Sequence, residues 1–265
     1  MFQFRRLPPA EAIEYFRQKG YAIGFSWEDV WQEEHQAAFT VAKAMQVDIL
    51  RDIRSGIDSA LENGTTFETF RKNLKPLLVE KGWWGKADMT DPLTGELKKV
   101  QLGSTRRLKT IFDTNLRTAH SEGQWTRIQK SKKSFPYLIY DANNSEHPRI
   151  QHSQWDNLVL HADDPFWQKH MPVKAWGCKC GVRQANERML EQRGLSVGES
   201  PEVNQYTYTN KRTGEVQKIE LGVDPAFNYP PGGRLANLEK MLSDKIKTLP
   251  DDLKDEIQKN GVLSA

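Results

Sequence analysis

Between Arg149 and Cys180 the chain carries both of its cysteines, three of its six histidines and three of its eight tryptophans. The three densest pieces are RIQHSQW (149–155), DDPFW (163–167) and WGCKC (176–180). The stretch is rich in breakers and shows neither a 3.6-residue nor a two-residue period, so it cannot be one helix or one strand. It reads as loop with short strands, and such a segment has to be held in shape by its side chains. Two thiols one residue apart, with imidazoles upstream, can form a redox pair, a metal site or a small reactive centre. A redox dithiol normally uses C-x-x-C at the start of a helix, which this spacing and context do not match. Two readings stay open. Cys178 and Cys180 are small buried residues near an edge strand, or they are zinc ligands together with two imidazoles. Of His147, His152 and His161, the pair His152 and His161 is favoured, because they flank a compact WDNLVL segment (155–160) that can turn back. A loop gains most from such a clamp, since the binding energy then becomes folding energy.

At 265 residues the chain can bury a core as one large or two small domains and does not need disulfides. A net charge of +3 does not by itself imply nucleic acid, and 28% charged residues with a mean hydropathy of −0.71 describe a polar, water-soluble chain. No apolar run reaches eighteen residues, so no membrane-spanning helix and no membrane partner are expected. MFQFRRLPP (1–9) lacks the apolar centre and small-residue cleavage site of a signal peptide, so synthesis in the cytosol is the expectation.

The period along the chain predicts an α+β protein: a helical N-terminal part and a smaller mixed, loop-rich core toward the C-terminus. Pro8–Phe16 opens a first helix that Gly20 ends. SWED (26–29) has the form of an N-cap, from which Val30 to Ile53 reads as one long helix until Asn63-Gly64 stops this helix or a short one after it. Thr66 caps a helix that Pro76 limits near Leu77. Turn formers over 88–96 predict a loop or hairpin and a boundary near 85–103. Ser104 caps a helix over 105–128, PYLIY (136–140) reads as a strand, and 182–193 returns to helix. The stretch 206–220 reads as strand–turn–strand, 223–233 as extended and proline-rich, and 235–249 as a last amphipathic helix. The division expected is a helical region 1–103, a core 104–250 and a tail 251–265.

Residues 104–133 hold eight basic side chains against two acidic ones. Arg106, Arg107, Lys109, Arg117 and Arg127 are the candidates for contact with DNA or another anionic partner, against the plainer reading of a solvated helix face. Asp163, Asp164, His152 and Arg149 can also be read as a metal-dependent nuclease site, although DDP is an ordinary turn with aspartates capping local amides. The chain has no G-x-x-x-x-G-K-[ST], G-x-S-x-G or G-x-G-x-x-G, so phosphate-loop, hydrolase and dinucleotide readings have no support.

Taken in order, FTVAKAM (39–45), LGSTRRLKTIFDTNLRTA (102–119), PYLIYDA (136–142), the R-x-x-H-x-x-W of Arg149, His152 and Trp155, DDPFW, Pro172, GCKC (177–180) and GVDPAFNYPPG (222–232) resemble the phage Mu F-like minor head proteins of the phage head morphogenesis family. The likeness runs from about residue 8 to about 250. It departs from the family pattern in its acidic turn DANNSEH (141–147), in HMP (170–172) for a double proline, and in Lys179 where arginine is common. The resemblance implies a minor capsid protein without catalytic turnover, found in the virion head and in the host cytoplasm during assembly. It implies the portal protein and other capsid or scaffold proteins as partners, with DNA in second place, and zinc is the cofactor the thiol–imidazole set would take. Some members are leader domains of toxins; with little chain after 250, the stand-alone form is expected. Trp83, Trp84, Trp155, Trp167 and Trp176 are the aromatic candidates for a docking surface. The alternative is a metal-dependent nuclease or a phage-borne effector.

Overall fold

The computed structural model describes residues 8–142 and 149–234, and beyond these 239, 243, 246, 247, 249–251, 253 and 254. The fold is α+β. Helix α1 (Ala10–Arg17) starts at Pro9 and buries Ala12, Ile13 and Phe16. The expected long helix from Val30 to Ile53 does not form. Asp29 accepts from the amides of Phe25 and Ser26 at 2.7 and 2.8 Å, so its carboxylate closes a turn rather than capping a helix. Beyond that turn come a parallel bridge of β1 (Gly20–Tyr21) with β2 (Ala38–Phe39) and the short α2 (Glu34–Ala37). The continuous helix α3 is Val47–Asn63, and Gly64 ends it in the left-handed conformation. Val30, Trp31, Phe39, Val41 and Ala44 are buried but follow no helical period, so the broad apolar stripe does not make a helix here.

Helix α4 (Phe67–Glu80) is capped by Thr66, whose hydroxyl accepts from the Thr69 amide. Pro76 does not stop it. Strands β3 (Lys86–Thr90) and β4 (Leu97–Gln101) form a hairpin in 85–103. Ser104 caps α5 (Thr105–Ser131), which is 27 residues long, or about 40 Å at 1.5 Å per residue. Its first half packs into one core with α1, α3 and α4 through Leu108, Ile111, Phe112 and Ala119. Its second half contributes Trp125 and Ile128 to another core, with Leu138, Tyr140, Trp155, Phe166 and Trp167. Gly123 allows this: a β-carbon there would lie 2.8 Å from the Ala12 backbone nitrogen, so α1 crosses α5 at close range.

The second core is built on a three-stranded antiparallel sheet in the order β6–β5–β7, with β5 (Tyr137–Asp141) central, β6 (Val159–His161) on one side and β7 (Gly181–Ala185) on the other. Short helices α6 (Ile150–Gln154) and α7 (Phe166–His170) sit in the connections. The expected helix over 182–193 divides into β7 and α8 (Glu187–Arg193), capped by Asn186. Strands β8 (Gln205–Thr209) and β9 (Val216–Glu220) make the expected hairpin, followed by a 3-10 turn at Pro225–Phe227. The hairpin returns to the N-terminal part. Tyr208 packs on Trp27 and Trp31, and Arg212 joins Asp29 and the buried Asp91 of the β3–β4 turn. Most of the helix expected over 235–249 lies outside the described residues. No helix among the described residues is long and apolar enough to cross a membrane.

Candidate metal centre and the loop it orders

The five-residue helix α6 carries His152, and the loop from α7 to β7 carries both cysteines. His152 Nδ1 lies 3.8 Å from Cys178 Sγ and 3.4 Å from Cys180 Sγ, and the three ligand atoms all fall within 4.8 Å of one another. Zinc bonds of about 2.3 Å to sulfur and about 2.0–2.1 Å to nitrogen, set tetrahedrally, put sulfur and nitrogen about 3.5 Å apart and two sulfurs about 3.8 Å apart. The side chains therefore already stand at ligand spacing. His152 Nε2 is 2.7 Å from the Gly222 carbonyl. A carbonyl only accepts, so Nε2 carries the proton and the Nδ1 lone pair faces the thiols, the arrangement that orients metal-binding imidazoles. The ring is fixed by stacking on Trp155 at 5.6 Å and by the edge of Tyr140.

Two of the three side chains are buried, His152 at 3% exposed and Cys178 at 2%, and Cys180 is half-buried. The Cys178 thiol is held well below the usual cysteine range, chiefly by the Cys180 S–H pointing at it and then by His152, against the opposing effect of burial. Cys180 is pushed up by the Cys178 sulfur and by burial, and its Sγ lies 3.4 Å from the Ala142 carbonyl. Two soft sulfurs and an oriented imidazole are a zinc donor set, so the residues fit that ion. Among the described residues this is the sole group of three or more such side chains in reach of one another.

His161 does not join it. It pairs with Tyr137 at the beginning of β5, whereas Gly181, next to Cys180, pairs with Asp141 at its end. Four strand residues separate the two ends, about 13 Å at 3.3 Å per residue. His161 instead accepts from the Asp163 amide through Nδ1 at 3.2 Å. His147 lies outside the described residues. Asp163 pairs with Lys132 at 2.5 Å, and Asp164 accepts from the Phe166 amide and the Ser200 hydroxyl. The Asp163 carboxylate is spent on an ion pair and that of Asp164 on a turn, and neither groups with His152.

Arg149 has a role that the nuclease reading did not foresee: its Nη2 donates to the Trp176 carbonyl at 2.7 Å. R-x-x-H spacing places Arg149 one turn before His152, where one side chain can hold the cysteine loop and the other can meet its thiols. Further tethers come from far along the chain. The Ser121 hydroxyl donates to the Pro172 carbonyl, and the Lys174 ammonium to the carbonyls of Phe227 and Tyr229. Nothing in the sequence period marks these. Of the five tryptophans singled out, Trp83, Trp155 and Trp167 are buried, Trp84 is half-buried and Trp176 is 36% exposed.

The basic face of α5 is less free than its composition suggests. Lys109 pairs with Asp113, Arg127 and Lys130 with Glu11, and Lys132 with Asp163. Arg107 donates to the carbonyls of Gln101, Leu102 and Ala42 and lies over the Trp83 ring, so it fastens the start of α5 rather than facing outward. Arg106 and Arg117 are exposed and form no ion pair among the described residues.

This arrangement, a long helix shared by two cores with a Cys-x-Cys loop pinned against an R-x-x-H helix, coincides with a known family. The profile of the Phage Mu protein F like proteins matches residues 51–183. The chain is 34% identical over 260 residues to the "Putative capsid assembly protein F" of Escherichia phage Mu, covering 93% of this chain and 59% of that protein. It is 35% identical over 224 residues to the Mu-like prophage FluMu F protein of Haemophilus influenzae, covering 79% of this chain and 53% of that one. The chain belongs to the Phage Mu protein F like family. It spans somewhat over half the length of these two relatives. No solved structure matches it.

Proposed function

We propose that this chain is a phage or prophage head-assembly protein that works by binding and not by turnover. Its partners on this reading are the portal protein first, other capsid or scaffold proteins next, and DNA last; it would act in the host cytoplasm during assembly and remain in the virion head. The observation that carries the reading is the 34% identity over 93% of the chain to a phage Mu protein named for capsid assembly. The geometry supports a binding role. The soft His–Cys–Cys group is mostly buried, and the carboxylates of the nuclease reading are spent on a turn at Asp164 and an ion pair with Lys132 at Asp163. The division into 1–103 and 104–250 belongs to the same proposal, with α5 as the element both parts share.

His152, Cys178 and Cys180 would hold zinc, which would cross-link α6 to the loop before β7. The remaining work is done by the chain itself: the Gly222 carbonyl sets the imidazole, and Arg149 sets Trp176. Co-expression with the head genes adjoining its own, followed by purification on a tag, tests the partner assignment. Recovery of the portal protein in fixed ratio is the expected result. Assembly into particles without any portal complex would move the assignment to the shell or to DNA, and absence from both would end the head-assembly reading.

A further inference from the structure

A cavity of about 270 Å³ opens between the N-terminal half of α5, the strand–loop segment 38–42 and the 3-10 turn, away from the thiols. Trp27, Trp176, Phe227 and Tyr229 supply its aromatic lining, with Trp176 set edge-on to Phe227 at 5.0 Å. Trp176 is left 36% in solvent, and its carbonyl is held by Arg149, which precedes the helix that bears His152. The cysteine loop therefore builds one wall of the cavity. Thr110, Thr114 and Thr118 line the opposite side at four-residue spacing, one stripe of α5.

The charged groups are of one sign. Lys19 and Arg107 line the cavity, and no carboxylate does among the described residues. The Lys19 ammonium donates to the His35 carbonyl at 2.6 Å. His35 also faces the cavity, and its Nε2 is buried without a hydrogen-bond partner. Buried polar atoms normally have partners, so this unpaired ring nitrogen, on a residue of a wall that also carries Lys19, Arg107 and four aromatic rings, leaves a group still to be met. Pockets of this character receive the buried anchor side chain of an interface.

We propose that the cavity is the docking site for a segment of another head protein, one that inserts an aromatic or branched apolar side chain and sets a carboxylate beside it, toward His35, Lys19 and Arg107. This rests on the head-assembly reading above. The cationic lining selects an acidic flank, and the apolar volume selects the anchor. Zinc, thiols and Arg149 then serve the same end, because they fix the loop that carries Trp176.

Three variants test it: Thr114→Trp, which fills the cavity; Thr110→Glu, which adds a carboxylate to its lining; and Lys133→Trp, an exposed control just beyond the far end of α5. Far-UV circular dichroism and thermal midpoints establish folding. 8-Anilino-1-naphthalenesulfonate, an apolar anion, reports cavity filling by fluorescence. Each variant is then co-expressed with the neighbouring head genes and purified. Expected is at least a tenfold loss of the captured head protein for both cavity variants, with the control like wild type, and loss of dye binding for Thr114→Trp. If one cavity variant fails to fold, the other decides. Undiminished capture by a folded variant overturns the docking site and leaves the head-assembly reading intact. Capture of no head protein by wild type removes both. A wild-type dimer that the cavity variants split would assign the cavity to a second copy of this chain and overturn the proposal as stated.

Discussion

Gly222→Ala is the sharpest test of how the thiol–imidazole group is held. Gly222 has φ +89°, and a β-carbon there would lie 2.8 Å from Trp155 Cη2, 3.3 Å from Gln151 Cβ and 3.3 Å from His152 Cδ2. A non-glycine residue in such a conformation costs about 1–3 kcal/mol, and overpacking against buried neighbours costs about 1–3 kcal/mol more. The sum, about 2–6 kcal/mol, is a large fraction of the roughly 5–15 kcal/mol by which folded proteins exceed their unfolded states. At about 2–4 °C per kcal/mol for chains near this size, the midpoint should fall by about 4–24 °C. Gly194→Ala is the control: it also has positive φ (+65°), at the end of α8, but with nothing within 4 Å of the added carbon. It should cost only the backbone term, about 1–2 kcal/mol. Urea unfolding followed by tryptophan fluorescence and far-UV circular dichroism measures both. Gly222→Ala within about 0.5 kcal/mol of wild type, the range of a neutral surface change, would refute the close packing of His152 under Gly222.

Metal analysis of the purified chain should find one zinc per molecule, with His152→Ala, Cys178→Ser and Cys180→Ser each losing most of it and His161→Ala keeping it; under a tenth of an equivalent in wild type would remove the zinc assignment. Lys174 is buried and lowered to about 7 by desolvation, as Lys19 is to about 8. The unfolded chain therefore binds more protons than the folded one between about pH 7 and 10, so these groups make stability rise with pH there. Urea midpoints at pH 7, 8 and 9 should climb, and Lys174→Met should flatten the rise; an unchanged slope in Lys174→Met would show that its ammonium is not the group responsible. Asp91 is held well below the usual carboxylate range, first by Arg212. Its contribution is full above about pH 4 and is lost as acid protonates it. Arg212→Ala should lower the thermal midpoint at pH 7 and make the remaining stability less sensitive to acid below pH 4. For DNA, Arg106→Ala and Arg117→Ala should each reduce the salt slope of any binding by about 1, since each would remove one phosphate contact. No retention of wild type on DNA at about 0.1 M salt would dismiss that partner.

What the sequence reveals and what it hides divide along a physical line. Thr66 and Ser104 announce their helices because each cap is local: the hydroxyl reaches an amide three residues on. The hairpin β8–β9 is legible for the same reason, its alternation and its Thr213-Gly214 bend lying within fifteen residues. The segment 24–46 is not legible. Its apolar residues are buried by partners such as Tyr208, from the far hairpin, so burial there follows no helical period. Pro76 was overread as a stop, since a proline costs a helix one backbone bond but does not end it when the next turn buries Leu78.

The cysteine loop shows the same division within one site. Residue type alone points to Cys178, Cys180 and a histidine, because few side chains suit a soft metal. Which histidine is a matter of strand direction. His161 and Cys180 are close in sequence terms yet sit at opposite ends of β5, a fact that exists only once β6 and β7 have paired with it. The atoms that make the site work are more remote still: Gly222 is 70 residues from His152, and Ser121 is 51 from Pro172. Between Met171 and Cys180 the backbone has no helical or strand ladder: the Pro172 and Trp176 carbonyls accept from the Ser121 and Arg149 side chains, and the Lys174 carbonyl accepts from the Asp224 amide. A segment with little regular pairing of its own gains order from each cross-link. Loss of zinc, of the Arg149 tether or of the Gly222 contact should therefore release the same stretch, Trp176 included. Hydrogen exchange can check this: on chelation, protection should fall across 171–180 while α3 and α4 stay protected. A global loss would make the site a fastening for the whole fold, and no change at all would make the thiols bystanders.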